Sequence, residues 1–417
     1  MFLLIFLLQR KLKVKLVVVS ILLIQRIQIS YRGDFLYKGE EVNLIATTTF
    51  GLESLVKDEV KEIGYQLTNV ENGRVEFTGD LSAIARANIW LRCAERVLLK
   101  LGEFYATDFD ELYDKTRLLP WSQWLPENAK FPVTGKSVKS TLHSVPSCQS
   151  IVKKAIVDNM KEKYHKQWFP EDGPEYPIQV ALMKDRVTLT IDSSGVGLHK
   201  RGYRELSTAA PLQETLAAAM IKLSRWDEDR VLIDPFCGSG TIVIEAAMMA
   251  KNMAPGLMRE FVAEEWPLIP DQIWQRAREE AGELVKKKCN PRMIMGTDID
   301  GNVAGIARYH ADKAGLAEII HFQQKPFSEF STNRKYGYII TNPPYGERLN
   351  EKKEVRKLCN EMGKKFLGLD TWSFYILTSY DDFEKEFGKK ASKRRKLYNG
   401  GIECQYYQYY GPWPPAN

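Results

Sequence analysis

The sequence predicts an α/β protein: a mostly parallel sheet in the C-terminal half, preceded by smaller α+β modules. Three observations carry this. The run Arg230-Val-Leu-Ile leads into Asp234-Pro-Phe-Cys-Gly-Ser-Gly-Thr241, and an apolar stretch of helical character follows, so the glycines sit on a strand-to-helix turn. A second apolar strand, Tyr338-Ile-Ile-Thr, runs into Asn342-Pro-Pro-Tyr345. From Asn43 the pattern of apolar residues reads βαββαβ.

Residues 1–35 hold two apolar runs, 2–8 and 16–24, split by basic residues. Neither is long enough to cross a bilayer, and no cleavage pattern follows a single apolar core. No membrane partner is expected. Arg10, Lys11, Lys13, Lys15, Arg26 and Arg32 against Asp34 place +5 of the net +6 here, so an argument for nucleic acid must rest on local patches. Arg32-Gly33-Asp34 can be encoded by AGG-GGA-GAT, a ribosome-binding pattern, with Leu36 as a TTG start just beyond. Residues 1–35 are therefore expected to be an extension from a mis-assigned start.

The next elements are a strand (44–48), a helix (52–63), two strands (66–70 and 74–77), a helix (81–90) and a strand (97–105). Leu52, Leu55, Val56, Val60 and Ile63 share one helix face, and Gly64 stops the helix. Asn72-Gly73 makes a hairpin turn. The order predicts a ferredoxin-like module over 43–106.

Over 107–195 a strand is expected from Phe131, continuing through 138–142. A helix (147–164) and two strands (178–183 and 187–192) follow. Lys136 and Lys139 flank the first strand, while Lys153, Lys154, Lys161 and Lys163 lie on the helix. Such a surface suits a nucleic-acid backbone or plain solvent. In the joining stretch, Arg201 and Arg204 are candidates for phosphate contact or for pairing with local acids. Pro211 opens a closely packed, alanine-rich helix.

In the C-terminal half, Gly238 and Gly240 let a ligand lie against the backbone, facing the N–H groups of a helix start. The turn lacks the Gly-Lys-Ser/Thr of a phosphate loop and the third glycine of a dinucleotide fingerprint. Asp234 ends the strand, and an acid there suits a cationic ligand better than a pyrophosphate. Beyond a long, partly helical segment (252–292), the strand 293–296 ends in Thr297-Asp298-Ile299-Asp300. An acid at the end of the second strand accepts bonds from ribose hydroxyls. Asp298 is the first candidate and Asp300 the second, with capping of the helix 301–314 as the other role for Asp300.

Asn342-Pro343-Pro344-Tyr345 resembles motif IV of the amino-methyltransferases, which methylate exocyclic amines of nucleobases, and the resemblance implies its chemistry. An exocyclic amine is a poor nucleophile because its lone pair is delocalised into the ring. The Asn342 carboxamide oxygen and the Pro343 carbonyl can accept both N–H bonds and aim the lone pair, acting by placement rather than as a strong base. Tyr345 offers a ring face to a flipped base. The chain closes with strand 374–378, a basic run (Lys389, Lys390, Lys393, Arg394, Arg395, Lys396) and a hairpin at Asn399-Gly400. The basic run is a second candidate for backbone contact with RNA. Six scattered cysteines without CxxC spacing and five unpaired histidines predict a reducing cytoplasm and no metal site.

These stretches resemble those of a known family. The octapeptide is similar to motif I, and Asn342–Tyr345 to motif IV, of class I S-adenosylmethionine-dependent amino-methyltransferases. The segment 107–195 resembles a THUMP domain. Leu198-His-Lys-Arg-Gly-Tyr-Arg with Ala210-Pro-Leu-Gln-Glu-Thr-Leu-Ala-Ala resembles the joining stretch of the bacterial UPF0020 guanine-N2 rRNA methyltransferases. The resemblance covers nearly all of 43–417. It implies a Rossmann-like class I methyltransferase domain over 196–417, S-adenosylmethionine as cofactor, and RNA as partner, large-subunit rRNA first. It implies cofactor contacts from Asp234, Phe236, Gly238, Gly240, Thr241, Asp298, Asp300, Phe327 and Pro211. The catalytic residues would be Asn342, Pro343, Pro344 and Tyr345, and the RNA contacts Lys136, Lys139, Arg201 and Arg204. One departure stands out: Pro326 occupies the place of the family's acid in an Asp-Phe pair, leaving Gln324, Ser328 or a backbone contact to face the adenine. Methylation of guanine N2 in 23S rRNA leads; guanine N2 in tRNA, adenine N6 in DNA, and RNA binding without catalysis are the alternatives.

Overall fold

The computed structural model of the chain describes residues 41–206, 212–287, 293–345 and 349–415, with the backbone alone for 349–352. The extension expected over 1–35 lies outside these residues, as does Pro211.

The N-terminal half is built on β1 (Val42–Thr47), β2 (Gln66–Glu71), β3 (Arg74–Gly79), β4 (Arg96–Tyr105), β5 (Val133–Val138), β6 (Ile178–Met183) and β7 (Arg186–Asp192). Helices Glu53–Glu62 and Leu81–Trp90 complete the expected βαββαβ order. The strands form one seven-stranded sheet, β2-β3-β1-β4-β7-β6-β5. The ferredoxin-like strands and those that follow therefore share a sheet, joined where β4 pairs antiparallel with β7 from Leu98↔Asp192 to Tyr105↔Arg186. The strand expected to continue over 138–142 stops at Val138, because Lys139 turns into the left-handed region at φ 51°. Helix Phe109–Arg117 was not anticipated, although Asp108 caps it by accepting from Glu111 N at 2.8 Å, a signal present in Asp-x-x-Glu.

The C-terminal half holds β8 (Leu232–Asp234), β9 (Ile294–Asp298), β10 (Ile320–Gln324), β11 (Tyr338–Thr341), β12 (Ser373–Thr378), β13 (Lys393–Asn399) and β14 (Ile402–Tyr409). Their order is β10-β9-β8-β11-β12-β14-β13. The first five strands in that order are parallel, and the last hairpin is antiparallel. From β8 the chain runs outward through β9 and β10, then returns to β11 on the other side of β8. In open parallel sheets such a reversal marks the ligand-binding crevice, here beyond the carboxyl ends of β8 and β11.

The long segment after the octapeptide is helical over Asp271–Glu283 and packs on the N-terminal helix Leu81–Trp90. Arg86 pairs with Glu280 at 2.8 Å, and Gly256 N donates to Ile89 O at 2.9 Å. A Cβ on Gly256 would sit 2.6 Å from the Ile89 Cα, so only glycine allows this approach.

Candidate active site at the switch point

The site begins at the end of β8. Asp234 is buried, and its Oδ1 accepts from Thr341 Oγ1 at 2.6 Å and from Phe236 N at 3.1 Å. Burial raises the Asp234 carboxyl to about 7, against the pull of those two hydrogen bonds, and no basic side chain among the described residues offsets it. The turn that follows is closed by Gly240 N donating to Cys237 O at 2.8 Å and tied to β9 by Cys237 N donating to Thr297 O at 2.9 Å. Both glycines have positive φ, 52° at Gly238 and 87° at Gly240. A methyl group on Gly238 would meet nothing within 4 Å, whereas on Gly240 it would stand 3.1 Å from Ala307. Gly238 thus faces open space, and Gly240 allows close packing of helix on helix. Thr241 begins the helix Thr241–Ala250, and its hydroxyl accepts from Arg204.

Asp298 ends the neighbouring strand and braces the turn. Its Oδ2 accepts from Gly238 N at 3.0 Å and its Oδ1 from Asp300 N at 3.0 Å. Asp300 caps helix Gly301–Lys313 by accepting from Asn302 N at 2.8 Å, the second of its two expected roles. Between the two acids Ile299 is 69% exposed, an apolar surface beside the crevice that the sequence reading passed over. Its signal was a lone apolar residue inside an acidic triplet. Gln324 at the end of β10 donates to Ile299 O at 3.2 Å, so a carboxamide stands at this edge. Pro326 leads into a short turn, Phe327–Glu329.

Asn342 follows β11 directly. Because β8 and β11 are adjacent and parallel, Asn342 emerges on the same side as the octapeptide turn. Asn342 is half-buried, Pro343 buried, Pro344 exposed and Tyr345 half-buried. The Tyr345 hydroxyl donates to Asn342 Oδ1 and lies beside Asn399 and Cys404 of the last hairpin. Burial holds the Tyr345 phenol well above its ordinary pKa, so it stays a donor.

Some expected site residues lie elsewhere. Phe327 is buried in a core cluster, with its ring 4.8 Å from Phe236, 5.8 Å from Phe330 and 5.6 Å from Phe366. It supports the turn through Phe236. The phosphate role for Arg201 is corrected: its side chain is 1% exposed. Arg201 donates to Glu245 Oε1 at 3.3 Å, Leu198 O at 2.8 Å and Arg92 O at 2.6 Å. Arg204 also turns inward, pairing with Glu214 at 3.1 Å besides its bond to Thr241. Lys136 and Lys139 are exposed on and just after β5, in the other half of the chain. Thr341 was missed; a hydroxyl closing an otherwise apolar buried strand was its signal.

Three family models match the chain: the RlmL ferredoxin-like domain over 43–98, the THUMP domain over 106–192, and UPF0020, the RMKL-like methyltransferase domain, over 201–408. The chain is 50% identical over 381 residues to Bacillus subtilis YpsC, named as an RNA methyltransferase, covering 90% of this chain and 98% of that one. It is 36% identical to the ribosomal RNA large subunit methyltransferase K/L of Psychromonas ingrahamii, covering 86% of this chain and 48% of that enzyme, so it spans about half the length of the K/L protein. A Listeria monocytogenes structure named as an N6-adenine-specific DNA methylase matches with TM-score 0.86 and 52% identity, covering 89% of this chain and 97% of that one. SMU.472, named as a methyltransferase and crystallised with S-adenosylhomocysteine, matches with TM-score 0.85 and 45% identity, covering 90% of this chain and 100% of that one.

Proposed function

Because the chain belongs to the UPF0020 methyltransferase family, we propose that it methylates the exocyclic N2 amine of a guanine in RNA, with 23S rRNA the leading substrate and S-adenosylmethionine the donor. The observation that carries this reading is the Thr341–Asp234 bond, which joins the strand ending in the acid to the strand presenting Asn342. S-adenosylmethionine supplies an electrophilic methyl group on a cationic sulfonium. A buried carboxylate without a basic partner and the open side of Gly238 fit such a ligand, and the S-adenosylhomocysteine held by SMU.472 supports the choice. Asp298 would meet its ribose.

The chain's own part is placement. Asn342 Oδ1 and the Pro343 carbonyl accept the two N–H bonds of the amine, so its lone pair turns out of the ring plane towards the methyl group. Asn342 Oδ1 already holds one donor, the Tyr345 hydroxyl, which marks it as an acceptor. With the amine held there, the base would stack on the Tyr345 ring. The cytoplasm is the compartment this substrate requires.

Adenine-N6 methylation of DNA is the second reading, favoured by the name of the Listeria relative; the THUMP match weighs against it. The test is transfer of radiolabelled methyl to rRNA from a strain lacking the gene, beside tRNA and DNA. Transfer to rRNA is expected, with Asn342→Ala lowering it at least about a hundredfold while cofactor binding persists. Transfer to DNA alone would establish the second reading. No transfer to any nucleic acid would leave an RNA-binding protein.

A further inference from the structure

Phe50 lies on the loop between β1 and helix Glu53–Glu62 and is 51% exposed. The loop around it is firmly braced. Thr48 N donates to Gly73 O at 3.0 Å and Thr48 Oγ1 to Cys93 O at 2.9 Å. The Glu53 carboxylate accepts from Gly51 N at 2.9 Å and from Gly73 N at 2.8 Å. An aromatic ring held out to water on a braced loop gains nothing for the fold. Its neighbour Gly51 faces the catalytic half: a Cβ there would stand 3.4 Å from the Lys396 carbonyl of β13. Lys396 is three residues before Asn399, which lies beside the Tyr345 hydroxyl, so the loop stands roughly 10 Å along the strand from the motif IV side chains.

β13 is basic. Lys389 and Lys390 are exposed on its approach, and Lys393 is exposed at its start. Arg394 pairs with Glu384 at 3.5 Å and Lys396 with Glu403 at 2.8 Å, and both cations are exposed to a phosphate that could replace the carboxylate. Resting on the RNA reading above, we infer that Phe50 and β13 form a substrate-binding lip: Phe50 stacks on an unpaired base next to the one methylated, and β13 tracks the backbone of that strand. The combination of aromatic platform and basic track is what single-stranded RNA recognition requires.

The test compares wild type, Phe50→Ala, Phe50→Leu and Phe50→Trp for binding to in vitro-transcribed large-subunit rRNA and for methyl transfer to it. S-adenosylhomocysteine affinity and Tm serve as controls. Phe50→Ala is expected to weaken RNA binding about tenfold, with Phe50→Trp restoring it and Phe50→Leu not. Both controls should stay at wild-type values. Wild-type RNA affinity in Phe50→Ala, or equal rescue by Leu and Trp, would overturn the inference and leave the RNA reading intact. A wild-type protein that binds no RNA would overturn both.

Discussion

Thr341 donates its hydroxyl hydrogen to Asp234 Oδ1 at 2.6 Å across the joint between β11 and β8. The bond couples the acid of one loop to the residue immediately before Asn342 of the other. It also leaves a carboxylate buried without a counter-charge among the described residues, and such a group titrates near neutrality.

The first prediction follows from that titration. Burial raises Asp234 to about 7, so below that pH the side chain is neutral and offers a cation little. Affinity for S-adenosylmethionine should rise about tenfold from pH 6 to pH 8 and then level. For the unliganded fold the sign is reversed. The folded state holds this proton more tightly than the unfolded chain, so stability falls as pH climbs from the ordinary carboxylate range to about 7. Asp234→Asn should weaken cofactor binding, flatten its pH profile and leave Tm at pH 8 no lower. Calorimetry and thermal melts read all three; an undiminished pH slope in the variant would assign the titration to another group.

The two glycines of the turn should separate binding from stability. At Gly238 a methyl group meets only open space, so Gly238→Ala adds left-handed strain of about 1–2 kcal/mol and intrudes on the ligand side. Cofactor affinity should fall more than the loss of stability accounts for. At Gly240 the same strain is joined by the contact with Ala307, a further cost of about 1–3 kcal/mol. Denaturant melts should rank Gly240→Ala the less stable, and equal melting of the two variants would contradict the packing difference.

Arg201 and Glu245 form a buried pair that ties the joining stretch to the helix after the octapeptide, while Arg201 also holds Arg92 O in the N-terminal half. Removing either partner strands a buried charge, so Arg201→Met or Glu245→Met should cost about 3–5 kcal/mol. The double variant should recover part of that. A double-mutant cycle in urea checks it, and strictly additive losses would mean that the pair does not act as a unit.

Lys136 and Lys139 carry the expectation for RNA in the N-terminal sheet. Replacing both by alanine should weaken rRNA binding and shallow its log-log salt dependence by about 2, with cofactor affinity unchanged. Filter binding over a salt series measures this. An unaltered slope would show that neither lysine meets a phosphate.

The sequence by itself determined what is local. The βαββαβ order, the strand-turn-helix around Gly238, the Asp300 cap and the hairpin at Asn399-Gly400 depend on periodicity and turn chemistry within a few residues, and each has the same form in the structure. Tertiary structure decided which distant groups meet. It made one sheet of β4 and β7, chose an acid over a phosphate for the buried Arg201, drew Phe327 into the core and set Gly51 against Lys396. A basic residue reads the same in sequence whether solvent or a buried glutamate neutralises it. The choice depends on which surfaces exclude water, and that is settled by packing between segments about a hundred residues apart, as Asp234 and Thr341 are.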